Sequence, residues 1–121
     1  MADGSVLVIG LNPEKIPGNW DPTPILEGIA AGRARFADHG VAADFCLFAL
    51  DGSEDVDTVV TAALTARPRS CVVVGGGVRG EAELLERIVA LVLQHAPGVP
   101  IAFNSTPAET YDAYVRRCGR T

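Results

Sequence analysis

The chain has 121 residues and a formal net charge of −5, a length that suits one folded domain, 1–121, with one hydrophobic core. Apolar residues make up 48% and charged residues 21%, which excludes the disordered class, and the acidic balance without a Lys/Arg run argues against nucleic acid or anionic lipid as partners. No signal-length apolar segment follows Met1, and the three cysteines Cys46, Cys71 and Cys118 are odd in number and lack C-x-x-C spacing, so secretion, membrane spanning, a disulfide framework and a zinc site are not expected and a reducing cytoplasm fits.

Ser5 to Ile9 is a continuous, β-branched apolar run stopped by Gly10, the form taken by a strand buried on both faces. Residues 11–22 then make a connection longer than a strand-to-helix turn needs. A helix starts at Thr23-Pro24, with Thr23 as cap and proline in the first turn, carries Ile25, Leu26, Ile29, Ala30 and Phe36 at helical spacing, and closes on Gly40. The second strand covers Ala43 to Leu50. A second helix, about Glu54 to Ala66, aligns Val56, Val59, Val60, Ala63 and Leu64 and ends before Pro68. Ser70 to Val74 is the third strand, followed by Gly75-Gly76-Gly77-Val78-Arg79-Gly80. A third helix, Glu81 to His95, presents Leu84, Leu85, Ile88, Val89 and Val92, and Pro97-Gly98 separates it from a fourth strand, Val99 to Phe103. The last helix opens at Thr106-Pro107-Ala108-Glu109, which has the form of a capping box.

A helix between every pair of strands requires parallel neighbours joined by right-handed crossovers, with helices on both faces. In size and rhythm the chain resembles flavodoxin-like and receiver-like domains, which implies an α/β three-layer αβα sandwich with strand order 2-1-3-4. The resemblance is one of architecture only. Where receiver domains carry a phosphoacceptor and an acidic pair, this chain has Gly75 and Gly10-Leu11-Asn12. Asn12-Pro13-Glu14-Lys15 lacks the hydroxyls of an FMN phosphate loop, and Asp38-His39-Gly40 does not have the spacing of a corrinoid site. No cofactor is expected.

In open parallel sheets ligands bind beyond the carboxyl ends of the strands where strand order reverses, here between the loops after strands one and three. That edge collects Asn12, Glu14, Lys15, Trp20 and Asp21 from the first loop, Asp51 and Ser53 from the second, Gly75, Gly76, Gly77, Arg79 and Gly80 from the third, and Asn104, Ser105 and Thr106 from the fourth. His39 and His95 end helices at the opposite edge, where a cation suits the helix dipole. Cys46 and Cys71 read as buried inert thiols, so neither a Ser-His-Asp nor a Cys-His mechanism is expected, and no metal.

The glycine segment matches G-x-G-x-x-G but follows the third strand, and Asn104 stands where an acid would hold a ribose hydroxyl, so NAD is not expected. Two explanations of it remain. Gly75, Gly76, Gly77 and Arg79 form an anion pocket, or the glycines serve a tight turn that needs positive φ. Elsewhere, Gly28 and Gly32 suit close helix packing, Trp20 a lid or a plug, and Asp51 a cap for the second helix.

The functional expectation is a protein that binds an anionic carboxylate or phosphate small molecule at this edge, as an accessory metabolic or biosynthetic enzyme. Glu14 or Asp51 would act as acid or base, Arg79 as clamp, and Asn12, Asn104 and Thr106 would orient the ligand. The alternative is a non-catalytic interaction module. A homodimer is expected, with Tyr111, Tyr114 and Val115 supplying apolar area.

Overall fold

The computed structural model describes residues 4–16 and 18–118; Pro17, in the connection after the first strand, lies outside them. The four apolar runs form one parallel sheet of β1 (Ser5–Leu11), β2 (Ala43–Phe48), β3 (Arg69–Val74) and β4 (Ile101–Phe103), in the order β2-β1-β3-β4. Five helices flank it: α1 (Thr23–Asp38), α2 (Val56–Thr65), the single turn α3 (Gly76–Arg79), α4 (Ala82–His95) and α5 (Thr110–Arg117). The result is the α/β three-layer arrangement of flavodoxin-like folds, with the strand order that the architectural resemblance implies.

β1 explains why its sequence shows no polar alternation. Hydrogen-bonded on both sides, it sets Ile9 beside Cys46 of β2 and Val74 of β3, and both of its faces are covered. Leu7 and Ile9, with Phe48, Val72 and Val74, pack under Val56, Val60 and Leu64 of α2 and Ile88 and Val92 of α4. Val6 and Val8, with Val73 and Ala102, pack on the other face against Phe36 of α1 and Ala113 of α5. Each Val, Leu, Ile or Phe among them contributes about 1.5–3 kcal/mol by leaving water.

At the amino edge of the sheet a buried arginine closes the core. The Arg69 side chain is 2% exposed. It donates to Asp44 at 2.7 Å, to Ser5 Oγ at 2.7 Å and to the Ala63 carbonyl at 2.6 Å. A buried guanidinium is tolerable only with its donors satisfied in this way.

Several boundaries differ from expectation. β1 runs on through Gly10 to Leu11 because both residues keep their pairing with Leu47 and Phe48, and β2 ends at Phe48 instead of Leu50. β4 begins only at Ile101. Thr23 lies inside α1 rather than capping it. Pro22 holds the cap position, and Asp21 Oδ1 accepts from the Thr23 amide at 3.0 Å. The Thr106–Glu109 capping box does not form. Pro107–Glu109 is a 3-10 turn whose i to i+3 geometry brings the Glu109 amide to the Thr106 carbonyl, and α5 starts one residue later.

The cysteine expectation is also corrected. Cys71 and Cys118 form a disulfide, their Cα atoms 6.1 Å apart and their positions 47 residues apart in sequence. The pairing arises because α5 packs back along the sheet and sets its last turn beside the start of β3, which sequence spacing does not reveal. Tyr111 and Tyr114 are half-buried. Their rings sit 5.3 and 5.7 Å from that of Phe36, and Tyr111 stacks on His39 at 4.3 Å. Among the described residues, no helix is long and apolar enough to cross a membrane.

Candidate functional site

At the carboxyl edge a cleft of about 450 Å³ opens on the α1 side of the sheet. Its floor is Val8, Gly10, Phe45 and Leu47; Ile25 and Ile29 of α1 form one wall, and Ile16 and Trp20 of the long connection lie at the mouth. The opposite wall is Gly75, Gly76, Gly77 and Arg79 with Asn104 to Pro107 and Thr110. Gly10 gives the cleft its depth, since a Cβ there would already lie 3.4 Å from Leu47 Cδ2.

Two glycines of α1 place the far wall. A Cβ on Gly28 would come within 3.3 Å of Pro107 Cβ, and one on Gly32 within 2.8 Å of the Pro107 carbonyl oxygen. The helix is therefore notched, and the Pro107–Glu109 turn sits in the notch. This is the close packing expected of these glycines, directed at the loop after β4.

The triglycine does not make a tight turn. Among the described glycines positive φ occurs at Gly18, Gly40, Gly52 and Gly98, while Gly75 is extended and Gly76 to Arg79 are helical. What this segment needs is room. A Cβ on Gly77 would lie 2.9 Å from Leu11 Cδ1, and one on Gly76 would lie 3.3 Å from Arg79 Nη2. The guanidinium rests against the glycine backbone and donates to the Asn104 carbonyl at 2.9 Å. Among the described residues no carboxylate forms a salt bridge with Arg79.

Asn104 is 4% exposed. Its Nδ2 donates to Thr110 Oγ1 at 2.9 Å, and Thr110 Oγ1 in turn donates to the Pro107 carbonyl at 2.6 Å. Asn104 Oδ1 is buried without a hydrogen-bond partner.

No protein-family model, curated protein or solved structure matches the chain. The assignment of a role therefore rests on the cleft.

The structure brings Gly75, Gly76, Gly77, Arg79, Asn104 and Thr106 together in one wall. Asn12, Glu14 and Asp51 fall outside it. Asn12 Oδ1 is occupied by the Glu14 amide at 3.1 Å, and Glu14 is exposed. Asp51 does not cap α2, whose cap position belongs to Asp55. It accepts instead from the Ser53 amide at 2.9 Å, and the Ser53 hydrogen bonds, with the charge of Lys15 nearby, hold its carboxyl below the usual range. A carboxylate so stabilised is a weak base at neutral pH.

Among the described lining residues there is no carboxylate, imidazole, thiol or amine; Arg79 is the one ionisable side chain. The wall therefore offers a cation, hydroxyls and backbone dipoles beside an apolar floor. Sequence reasoning missed Ile16, Ile25, Ile29, Phe45, Leu47 and Thr110. Ile25 and Ile29 were indistinguishable from the core stripe of α1, whereas Gly10 beside the apolar pair Phe45 and Leu47 was a usable signal for a depression in the sheet face.

Trp20 lines the mouth, 38% exposed, with its indole N–H donating to the Ile16 carbonyl at 3.2 Å.

Proposed function

We propose that this protein binds a small anionic molecule with an apolar body, the carboxylate or phosphate held by Arg79 and the apolar part between Trp20, Ile25 and Leu47. One observation carries the proposal: a largely apolar cleft has a single cation among its described lining residues, unpaired by any described carboxylate, at its polar end. Its volume of about 450 Å³ falls in the range of about 300–1,000 Å³ common to ligand pockets. An unpaired guanidinium beside an apolar wall favours an anion whose body can leave water against that wall.

The lack of an acid or base in the wall favours binding over chemistry. As an accessory enzyme the protein would have to bring Glu14 or Asp51 over the cleft. The same observation supports a second proposal, an interaction module whose partner inserts an apolar side chain at the rim of Ile16, Trp20 and Ile25. Self-association also stays within the proposal, resting now on exposed Val115 and Phe103. A cytoplasmic location carries the condition that Cys71 and Cys118 be thiols there.

Trp20 is the only tryptophan, so its fluorescence reports the cleft directly. Titration with octanoate, phenylacetate and phenyl phosphate should give saturable changes. Arg79→Ala should weaken binding by about 1.5–3 kcal/mol, the scale of a charged hydrogen bond, with the urea midpoint nearly unchanged because the side chain is exposed. Equal affinities in the two proteins would remove the anion clamp. A flat Trp20 signal with all three probes would remove the small-molecule proposal.

A further inference from the structure

Asn104 Oδ1 constrains the ligand beyond its charge. A buried carbonyl oxygen without a donor is costly, and native structures contain few of them. The orientation of the amide follows from its neighbours. Thr110 has one hydroxyl hydrogen, directed at the Pro107 carbonyl at 2.6 Å. It can offer Asn104 only a lone pair, so the amide nitrogen must face Thr110, as it does at 2.9 Å, and the oxygen must face away. None of the hydroxyls of Ser105, Thr106 or Thr110, nor the Arg79 guanidinium, reaches that oxygen.

The acceptor and the cation also belong together. Arg79 Nη2 is fixed on the main-chain carbonyl of Asn104 itself, and both residues line the cleft; Oδ1 is covered, so a ligand donor reaches it by displacing the groups that cover it. A ligand that satisfies both needs its donor only a few bonds from its anionic group. That donor is neutral, because no described carboxylate lines the cleft to accompany an ammonium.

Resting on the small-molecule proposal above, we infer that the ligand is an acid bearing a hydroxyl or amide N–H next to its carboxylate, a 2-hydroxy acid or N-acylamino acid with an apolar side chain, and that Asn104 Oδ1 accepts this hydrogen. The carboxylate meets Arg79, the donor meets Asn104, and the side chain enters the apolar part of the cleft.

The test compares acids that differ only in the donor, 2-hydroxyoctanoate against octanoate and 3-phenyllactate against 3-phenylpropanoate, by Trp20 fluorescence and calorimetry. On the wild-type protein the hydroxy acids should bind at least about tenfold more tightly, since only they give the buried acceptor a partner. In Asn104→Ala the ratio should fall to about one, mainly through loss of the hydroxy acid. Should that variant not fold, the ratio on the wild type decides alone. Equal affinities within each pair would overturn the inference while leaving the cleft as a proposed anion site. A ratio that persists in folded Asn104→Ala would overturn the role of Asn104. If neither acid of either pair binds, the small-molecule proposal fails and this inference with it.

Discussion

Gly32→Ala separates intrinsic helix preference from tertiary packing. In an exposed helix interior the change would stabilise by about 1 kcal/mol, because alanine restricts the unfolded chain and glycine does not. Here the new Cβ would lie 2.8 Å from the Pro107 carbonyl oxygen. That oxygen has little freedom to move, for it accepts from both the hydroxyl and the amide of Thr110. The Pro107–Glu109 turn must shift as a unit, at a cost of about 1–3 kcal/mol, the scale of overpacking in a tight contact. The net expectation is a loss of up to about 2 kcal/mol, the difference of those two terms. Gly28→Ala makes a useful companion, since its Cβ would be 3.3 Å from a proline side-chain carbon, and its effect should lie nearer zero. Urea denaturation followed by circular dichroism measures both. Because Pro107 and Thr110 line the cleft, Gly32→Ala should also weaken ligand binding. A gain of about 0.5 kcal/mol or more in Gly32→Ala, half the propensity term, would refute the view that the notch seats this turn.

Four further outcomes concern the cysteines and the amino edge. The disulfide joins positions 47 residues apart, so reducing it should cost up to about 4 kcal/mol from loop entropy, measured as a fall in the urea midpoint. Cys46, 8% exposed and with its thiol pushed by burial to about 11, should stay unreactive toward a thiol reagent at pH 8 until the protein unfolds. At the opposite edge from the cleft, hydrogen bonds from Arg67 and Arg69 hold the Asp44 carboxyl below its usual range. With the folded pKa below the unfolded one, its stabilisation is present above the ordinary carboxylate range and is lost as pH falls through the folded value. Asp44→Asn should flatten the acid limb of a stability profile, and an unchanged limb would count against that role. Arg69→Met should cost about 1–3 kcal/mol, below the usual toll of breaking a buried pair, because Asp44 remains partly solvated.

The parallel sheet was legible because each strand is an apolar run bounded by polar residues or glycine and helical stripes between them forbid hairpins, whereas the order 2-1-3-4 came from the architectural resemblance. The errors share a cause. Gly76 and Gly77 conceal a helical turn, since glycine carries almost no helical preference, and Thr106 and Glu109 match a capping motif that a 3-10 turn displaces. The disulfide depends on the path of α5, a tertiary fact with no local signature. At the site, Arg79 and Asn104 could be located from topology. The apolar lining could not, because Ile25 and Ile29 look like core until the neighbouring strand carries Gly10 and leaves the space unfilled.

The placement of the three sulfurs has a chemical consequence. Cys46 lies on β2 and faces α2 and α4, whereas Cys71 lies on β3 and faces α1 and α5, with β1 between the two strands. Exchange requires a thiolate to attack a disulfide sulfur directly, and in the folded protein the sheet separates them as an insulating wall. Shuffled isomers can therefore arise only from opened chains, and their yield in a storage or expression sample counts the molecules that have come apart.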